Sequence, residues 1–367
     1  MRKTAALYDP YLDTLGGGEK YILSILKVLS EEDFEINIFW DKDLTSEIKN
    51  RLSLQFNIKL EFLPNIFRKS SPLSFVNKLT ALKKFDYFFY MTDGSYFFSS
   101  AKKNFVYVMI PQKELVNMNI INRLKTNNYI FITHSKFTQN WLKKWGIKSE
   151  LIYPYIDIGK PSFVRDFVGT TAGKQKIILS VGRFFKHLHS KRQDLVINFF
   201  QLLKKQPAFK DFKLVLAGGL KKEDEEYFNE IKKSAGDNPS IVFKPNITFN
   251  ELDKLYELST YYWHLTGYGV DEDKQPELVE HLGITPLEAM ASGCITFCYQ
   301  AGGPKEIIND GVNGFLFKTG DELIQKMLKA INNINLQNKI RSSAVQFVKD
   351  NFSYQSFKDK VTKIILY

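Results

Sequence analysis

Apolar and polar positions along this chain alternate short apolar runs with stretches of helical periodicity, and the pattern plays out twice. Residues 4–8 read as a first buried strand. A glycine loop follows, Leu15-Gly16-Gly17-Gly18-Glu19, and then Tyr21, Ile22, Ile25, Leu26, Val28 and Leu29 recur at the spacing of one helical face. Apolar runs over 34–40, 87–91, 105–110 and 129–133 predict further strands, and 136–145 predicts a helix. The pattern restarts with a strand over 176–182 and a helix over 194–205. Strands over 212–217 and 241–244, a helix over 251–258 and a strand over 294–299 complete it. Near-continuous apolar strands separated by helices suit parallel sheets covered on both faces. The expected class is α/β: two doubly wound, Rossmann-like domains with a cleft between them. Their expected bounds are 1–157 and 158–350, with a closing helix over 351–367 that packs back on the first domain. The connector Ile152-Tyr153-Pro154-Tyr155-Ile156-Asp157 has the extended, proline-bearing character of a hinge. In such sheets ligands sit beyond the carboxyl ends of the strands.

Composition narrows the class. A chain of 367 residues exceeds one ordinary core, and 44% hydrophobic with 25% charged residues argues for a globular protein. Cys294 and Cys298 share one apolar run, which favours a reducing compartment over a disulfide framework. The first ten residues lack the apolar core of a signal peptide, and no run reaches the ~18 apolar residues that span a bilayer. A cytoplasmic protein is expected, with peripheral contact at the inner face of the cell membrane as its extension.

The net charge of +11 is unevenly placed. Residues 1–50 carry 6 Lys/Arg against 10 Asp/Glu, whereas residues 51–150 carry 16 against 5. Within 66–85, Arg68, Lys69, Lys78, Lys83 and Lys84 interleave with Phe67, Phe75, Val76, Leu82 and Phe85. That mixture suits an anionic lipid or an anionic acceptor, and it equally suits the solvated face of a lysine-rich protein. No nucleic-acid motif accompanies the charge, so nucleic acid is not expected as a partner.

The most informative stretch is Glu280-His281-Leu282-Gly283-Ile284-Thr285-Pro286-Leu287-Glu288-Ala289-Met290-Ala291-Ser292-Gly293. Thr285 has the chemistry of an N-cap, Pro286 of a first helical residue, and Glu288 of a capping-box partner. Such a helix would aim free N–H groups at the loop before it, a favourable place for a diphosphate. Glu280, on that loop, and Glu288, on the helix, could each grip hydroxyls. Spacing alone fits equally a capped helix beside a solvated carboxylate.

These residues resemble the family 4 glycosyltransferases of the GT-B fold. The resemblance rests on Glu280, seven residues and Glu288; on Ser180-Val181-Gly182-Arg183 with Lys191; and on Gly302-Gly303-Pro304-Lys305-Glu306-Ile307. It also rests on Asn309-Asp310-Gly311-Val312-Asn313-Gly314-Phe315. It runs through most of 158–350 and matches the first half in outline, including Gly16-Gly17-Gly18-Glu19. The resemblance implies a retaining hexosyltransferase that needs no metal or other cofactor. It takes a GDP- or UDP-linked sugar to a glycan or lipid-linked acceptor, as in cell-surface polysaccharide or glycoconjugate synthesis.

The implied roles are these. Arg183 and Lys191 neutralise the diphosphate, Glu288 binds the ribose, and Glu280 faces the sugar or its leaving phosphate. Gly17, Gly18, Gly182 and the N–H groups near Thr285, Pro286 and Leu287 line the donor. His264 is a further donor contact or a core histidine. Trp263-His264 and Glu280-His281 resemble a subset that includes lipid-linked oligosaccharide mannosyltransferases, which points to GDP-mannose. One departure stands out: Met109 occupies a region where the family often has a histidine. Asp93, Ser95 and His134 remain as acceptor-side candidates. An epimerase or phosphorylase of the same fold, or an inactive partner subunit, are the competing readings. Asp41-Lys42-Asp43 and Asp271-Glu272-Asp273 have metal-motif spacing, but read better as solvated loops. The acidic segment 270–279 reads as a mobile insert.

Overall fold

The computed structural model describes residues 2–12, 16–40, 58–67, 75–157, 173–187 and 190–367. The chain forms two compact units, Met1–Pro154 with Phe357–Tyr367, and Tyr155–Ser356.

In the first unit seven parallel strands run β1 (Thr4–Tyr8), β2 (Glu35–Phe39), β3 (Leu60–Leu63), β4 (Tyr87–Met91), β5 (Lys103–Tyr107), β6 (Tyr129–Thr133) and β7 (Ser149–Leu151). Their spatial order is β3-β2-β1-β4-β5-β6-β7. The helix after β1 begins at Gly17, earlier than its apolar stripe suggests, because Glu19 reaches back to accept the Gly16 N–H at 2.6 Å. Gly18 thus lies in the first helical turn, where a Cβ would stand 2.3 Å from Met109 Sδ. A side chain at this position would have to displace the Met109 thioether. The end of the chain joins this unit through Lys358, paired with Glu31 at 3.0 Å, and Phe357, which packs against Tyr21.

The second unit carries β8 (Gln175–Val181), β9 (Lys213–Gly218), β10 (Ile241–Pro245), β11 (Ser259–His264), β12 (Ile295–Tyr299) and β13 (Phe315–Phe317). Its order is β10-β9-β8-β11-β12-β13, again all parallel. The period-2 rule is visible in the core. Ile178, Leu214, Leu216, Tyr261 and Trp263 enter one buried cluster; Ile177, Leu179, Val215, Ala217 and Tyr262 enter another. Both units are therefore Rossmann-like. In the second, the strand order reverses between β8 and β11, the place where such sheets open a ligand crevice.

Candidate active site

Gly182-Arg183 leave the carboxyl end of β8, and His264 ends its neighbour β11. Lys191 reaches the same place from the loop before the Gln193–Leu203 helix. That loop is stitched down: Arg192, at φ 51°, pairs with Asp194 at 3.0 Å and donates to the Tyr268 carbonyl at 2.9 Å. Gln193 donates to the Arg183 carbonyl at 3.0 Å. A Cβ on Gly182 would stand 2.4 Å from Lys191 Cγ, so the lysine stem lies across the Gly182 backbone.

Beyond it, Lys191 Nζ donates to Glu280 Oε2 at 2.6 Å, and His264 Nε2 meets the same oxygen at 2.9 Å. The side chains of Lys191, Glu280 and His264 retain 16%, 15% and 2% of their exposure, so the group is shielded, with Lys191 and Glu280 still partly open to solvent. Burial alone would push the Glu280 carboxyl up. Lys191 and His264 overcome it and hold the carboxyl well below its usual range. Burial, against the pull of Glu280, holds the His264 imidazolium below its ordinary pKa. An ionised carboxylate only accepts, so a neutral His264 must carry its proton on Nε2.

Glycines hold the Glu280 loop in place. The Glu280 carbonyl accepts the Gly303 N–H at 2.7 Å. A Cβ on Gly302, at φ 62°, would fall 2.1 Å from that carbonyl oxygen, and one on Gly303 2.2 Å from Leu282 Cα. Segment 270–279, read from the sequence as a mobile insert, makes specific contacts in the structure. Glu272 accepts the Gly302 N–H at 2.6 Å and pairs with Lys305, while Pro276 and Val279 are buried. Its Asp271 is spent on Lys274 and the Asp273 N–H. Among the described residues no cluster of His, Cys, Asp and Glu could hold a metal ion; Asp41 and Asp43 lie outside them.

The helix after this loop differs from its expected capping. It spans Ile284–Ala291 with Gly283 as N-cap in the left-handed region, φ 104°, and no side chain caps it. Thr285 is already helical, and its Oγ1 accepts the Tyr262 hydroxyl at 2.8 Å. Pro286 is the third helical residue, still in the turn where a missing N–H costs nothing. The Leu287 N–H is consumed by the Gly283 carbonyl at 3.1 Å and cannot serve a ligand. That leaves the N–H groups of Ile284 and Thr285 without intrahelical acceptors. Glu288 lies too far along to reach back as a capping-box partner, and instead accepts the Tyr256 hydroxyl at 3.0 Å. Burial and then the Glu288 carboxylate hold the Tyr256 phenol well above its ordinary range, so it stays a donor.

The structure thus brings Lys191, His264 and Glu280 together, with Gly182 beneath the lysine and Thr285 tied to Tyr262 of β11. Arg183 is exposed and lies over the Phe185 ring at 4.4 Å, with no carboxylate partner among the described residues. Gly17 and Gly18 belong to the first unit. So do Asp93 and Ser95, which form a turn tied to the Tyr90 hydroxyl, and His134, 3.2 Å from the Tyr107 hydroxyl. Tyr256 and Tyr262 were not anticipated. Tyr262 shares a strand face with His264, which strand alternation could have revealed.

Residues 165–347 match the family described as glycosyl transferases group 1. The chain belongs to that family. Among relatives of this glycosyltransferase is a Dictyostelium discoideum protein named GDP-Man:Man(3)GlcNAc(2)-PP-Dol alpha-1,2-mannosyltransferase. It is 23% identical, over 96% of this chain and 83% of its own. A Methanocaldococcus jannaschii protein named an uncharacterized glycosyltransferase is 26% identical over 99% of this chain and 98% of its own. In fold the enzyme is similar to Anabaena HepE, crystallised in complex with UDP. The TM-score is 0.73 at 18% identity, over 99% of each chain. The glycosyltransferase therefore has the GT-B architecture, and among its described residues no helix is long and apolar enough to cross a membrane.

Proposed function

We propose that this enzyme moves mannose from GDP-mannose to a glycan on a lipid-linked acceptor, with retention at the sugar carbon. The observation that carries the reading is the convergence of Lys191 and His264 on one oxygen of Glu280, at the crevice between β8 and β11. The mannosyltransferase relative supports the choice of sugar and acceptor.

In this mechanism Arg183 and Lys191 take up the charge that grows on the diphosphate as the sugar–phosphate bond breaks. The Ile284 and Thr285 N–H groups add the partial positive charge of a helix start. Glu288, fixed by Tyr256, accepts the ribose hydroxyls, and Glu280 accepts a sugar hydroxyl. Gly182 keeps the backbone low beneath the diphosphate. The donor role of Gly17 and Gly18, in the first unit, rests on the family resemblance alone. The acceptor oxygen attacks the face the phosphate leaves, and its proton passes to the departing phosphate oxygen. No metal is required, because side chains and N–H groups supply the charge. The enzyme works in the cytoplasm against a membrane face. Of the stretch 66–85, Ile66, Leu82 and Phe85 are core residues, whereas Phe75 and Val76 stand exposed.

Incubating the protein with GDP-mannose, UDP-glucose and a membrane lipid extract tests the reading. GDP release and a mannosylated lipid are expected, with an anomeric configuration matching the donor by NMR. Consumption of the UDP-sugar alone would overturn the nucleotide assignment. An unaltered donor pool, unchanged again in Glu288→Ala, would overturn the reaction.

A further inference from the structure

We propose that the Ile120–Lys125 helix of the first unit, with the basic ground around it, is a docking surface for a bilayer carrying anionic headgroups. From residue 115 to residue 149 the chain contains no acidic residue, yet it holds Arg123, Lys125, Lys136, Lys143, Lys144 and Lys148. Inside that span lie three of the most exposed large aliphatic side chains of the described residues: Ile120 at 79%, Ile121 at 62% and Leu124 at 62%. Their spacing puts them on one side of the helix.

No residue of this helix is buried, so packing does not account for its being helical. Its own caps hold it. Asn119 accepts the Asn122 N–H at 2.8 Å, Asn122 donates to the Asn117 carbonyl at 2.7 Å, and Arg123 donates to the Met118 carbonyl at 2.9 Å. The apolar side is thus presented already ordered, which removes the entropic cost of forming it on binding. The Arg123 guanidinium comes within 3.8 Å of where a Cβ on Gly146 would stand. This places the helix beside the carboxyl end of the Lys136–Lys144 helix. There Trp141 and Trp145 pack at 5.5 Å, with the Lys144 ammonium 3.9 Å from the Trp141 ring.

Aliphatic side chains, tryptophans and cations together match the apolar, interfacial and charged layers of an anionic leaflet. A helix of this length is about 9 Å long, too small for the roughly 800 Å² a stable protein partner covers. Insertion of three side chains into lipid needs no such area. The surface stands independently of the donor and acceptor, since its assay contains neither.

Sedimentation of the full chain with vesicles tests it. Vesicles of phosphatidylcholine with one quarter phosphatidylglycerol are expected to carry the protein down at low salt, and pure phosphatidylcholine at least tenfold less. The Ile120→Ser/Ile121→Ser/Leu124→Ser variant is expected to partition about tenfold more weakly, with an unchanged melting temperature because the three side chains are exposed. A Phe75→Ser/Val76→Ser variant is expected to bind as the parent does. The proposal is overturned if the parent stays in solution, if the triple variant sediments like the parent, or if only the Phe75/Val76 variant loses binding.

Discussion

Lys191→Met tests the geometry of the proposed donor site most directly. The substitution keeps the stem that crosses Gly182 but removes the ammonium 2.6 Å from Glu280 Oε2. Glu280 then keeps one neutral partner, His264. Breaking a shielded ion pair from one side costs about 3 kcal/mol, because the remaining charge loses its compensation. In a unit of this size that is roughly 6–12 °C of melting temperature. The pH dependence fixes the sign. In the parent the folded-state carboxyl pKa is depressed, so its contribution is complete above the ordinary carboxylate range and is lost only as pH falls through the depressed value. Between pH 5 and 8 the group should leave parental stability flat. In Lys191→Met burial dominates, the folded pKa rises above the unfolded one, and the deficit should be largest at pH 8 and shrink toward pH 5. Lys191→Met/Glu280→Gln removes both charges and should recover most of the loss. Scanning calorimetry across that range reads all three variants. A Lys191→Met protein that melts with the parent, a deficit that does not vary with pH, or a double variant no more stable than the single would refute the reasoning.

Other sites give sharper functional readouts. Tyr256→Phe removes the bond that fixes Glu288, worth about 1.5 kcal/mol for a bond to a charged group, so KM for the donor should rise roughly tenfold with kcat nearly unchanged in steady-state assays. Arg183→Ala should leave the melting temperature within about 1 °C, since the side chain is exposed, yet lower kcat/KM by roughly a hundredfold. Gly303→Ala forces a Cβ into the Leu282 backbone and should cost more than about 3 kcal/mol on chemical denaturation, or displace Glu280 and abolish turnover. Glu280→Gln should weaken donor binding at least tenfold by calorimetric titration while the fold survives.

Sequence pattern revealed the sheets because their strands are buried on both faces, and a short, largely apolar run such as 176–182 suits a strand covered on both sides. It missed β11, the strand that delivers His264. Here Leu258 of one helix is followed directly by Ser259 of the strand, with no glycine or proline to mark the change. It also misjudged the cap of the Ile284–Ala291 helix. Thr-Pro is a strong start signal, but a left-handed Gly283 two residues earlier overrides it. Family resemblance brought Lys191 and Glu280 into one reading. That they bond could not be read from spacing, because 89 residues separate them and the contact exists only once β8 and β11 lie side by side. The tyrosine hydroxyls were missed for the same reason: Tyr256 and Glu288 are 32 residues apart, on different elements.

The pairing of Lys191 with Glu280 raises a question of supply, since a lysine bound to a carboxylate looks spent before any diphosphate arrives. The arrangement answers it. An ammonium has three N–H donors, and the carboxylate takes one of them. The stem lies across Gly182, the residue before Arg183, and two N–H donors remain beyond the one bonded to Glu280. On the other side, both bonds to Glu280 fall on Oε2, and its carbonyl is tied to Gly303. Oε1 is the atom left to accept from a ligand hydroxyl. The pair fixes the position of both charges without exhausting either. His264 contributes by staying neutral: as an imidazolium it would compete with Lys191 for Glu280 and repel that ammonium, whereas as a neutral donor it orients the carboxylate and adds no charge. Gln at 280 cannot reproduce this. Its amide oxygen must face Lys191 and His264, which turns an N–H donor toward the place where an acceptor is needed.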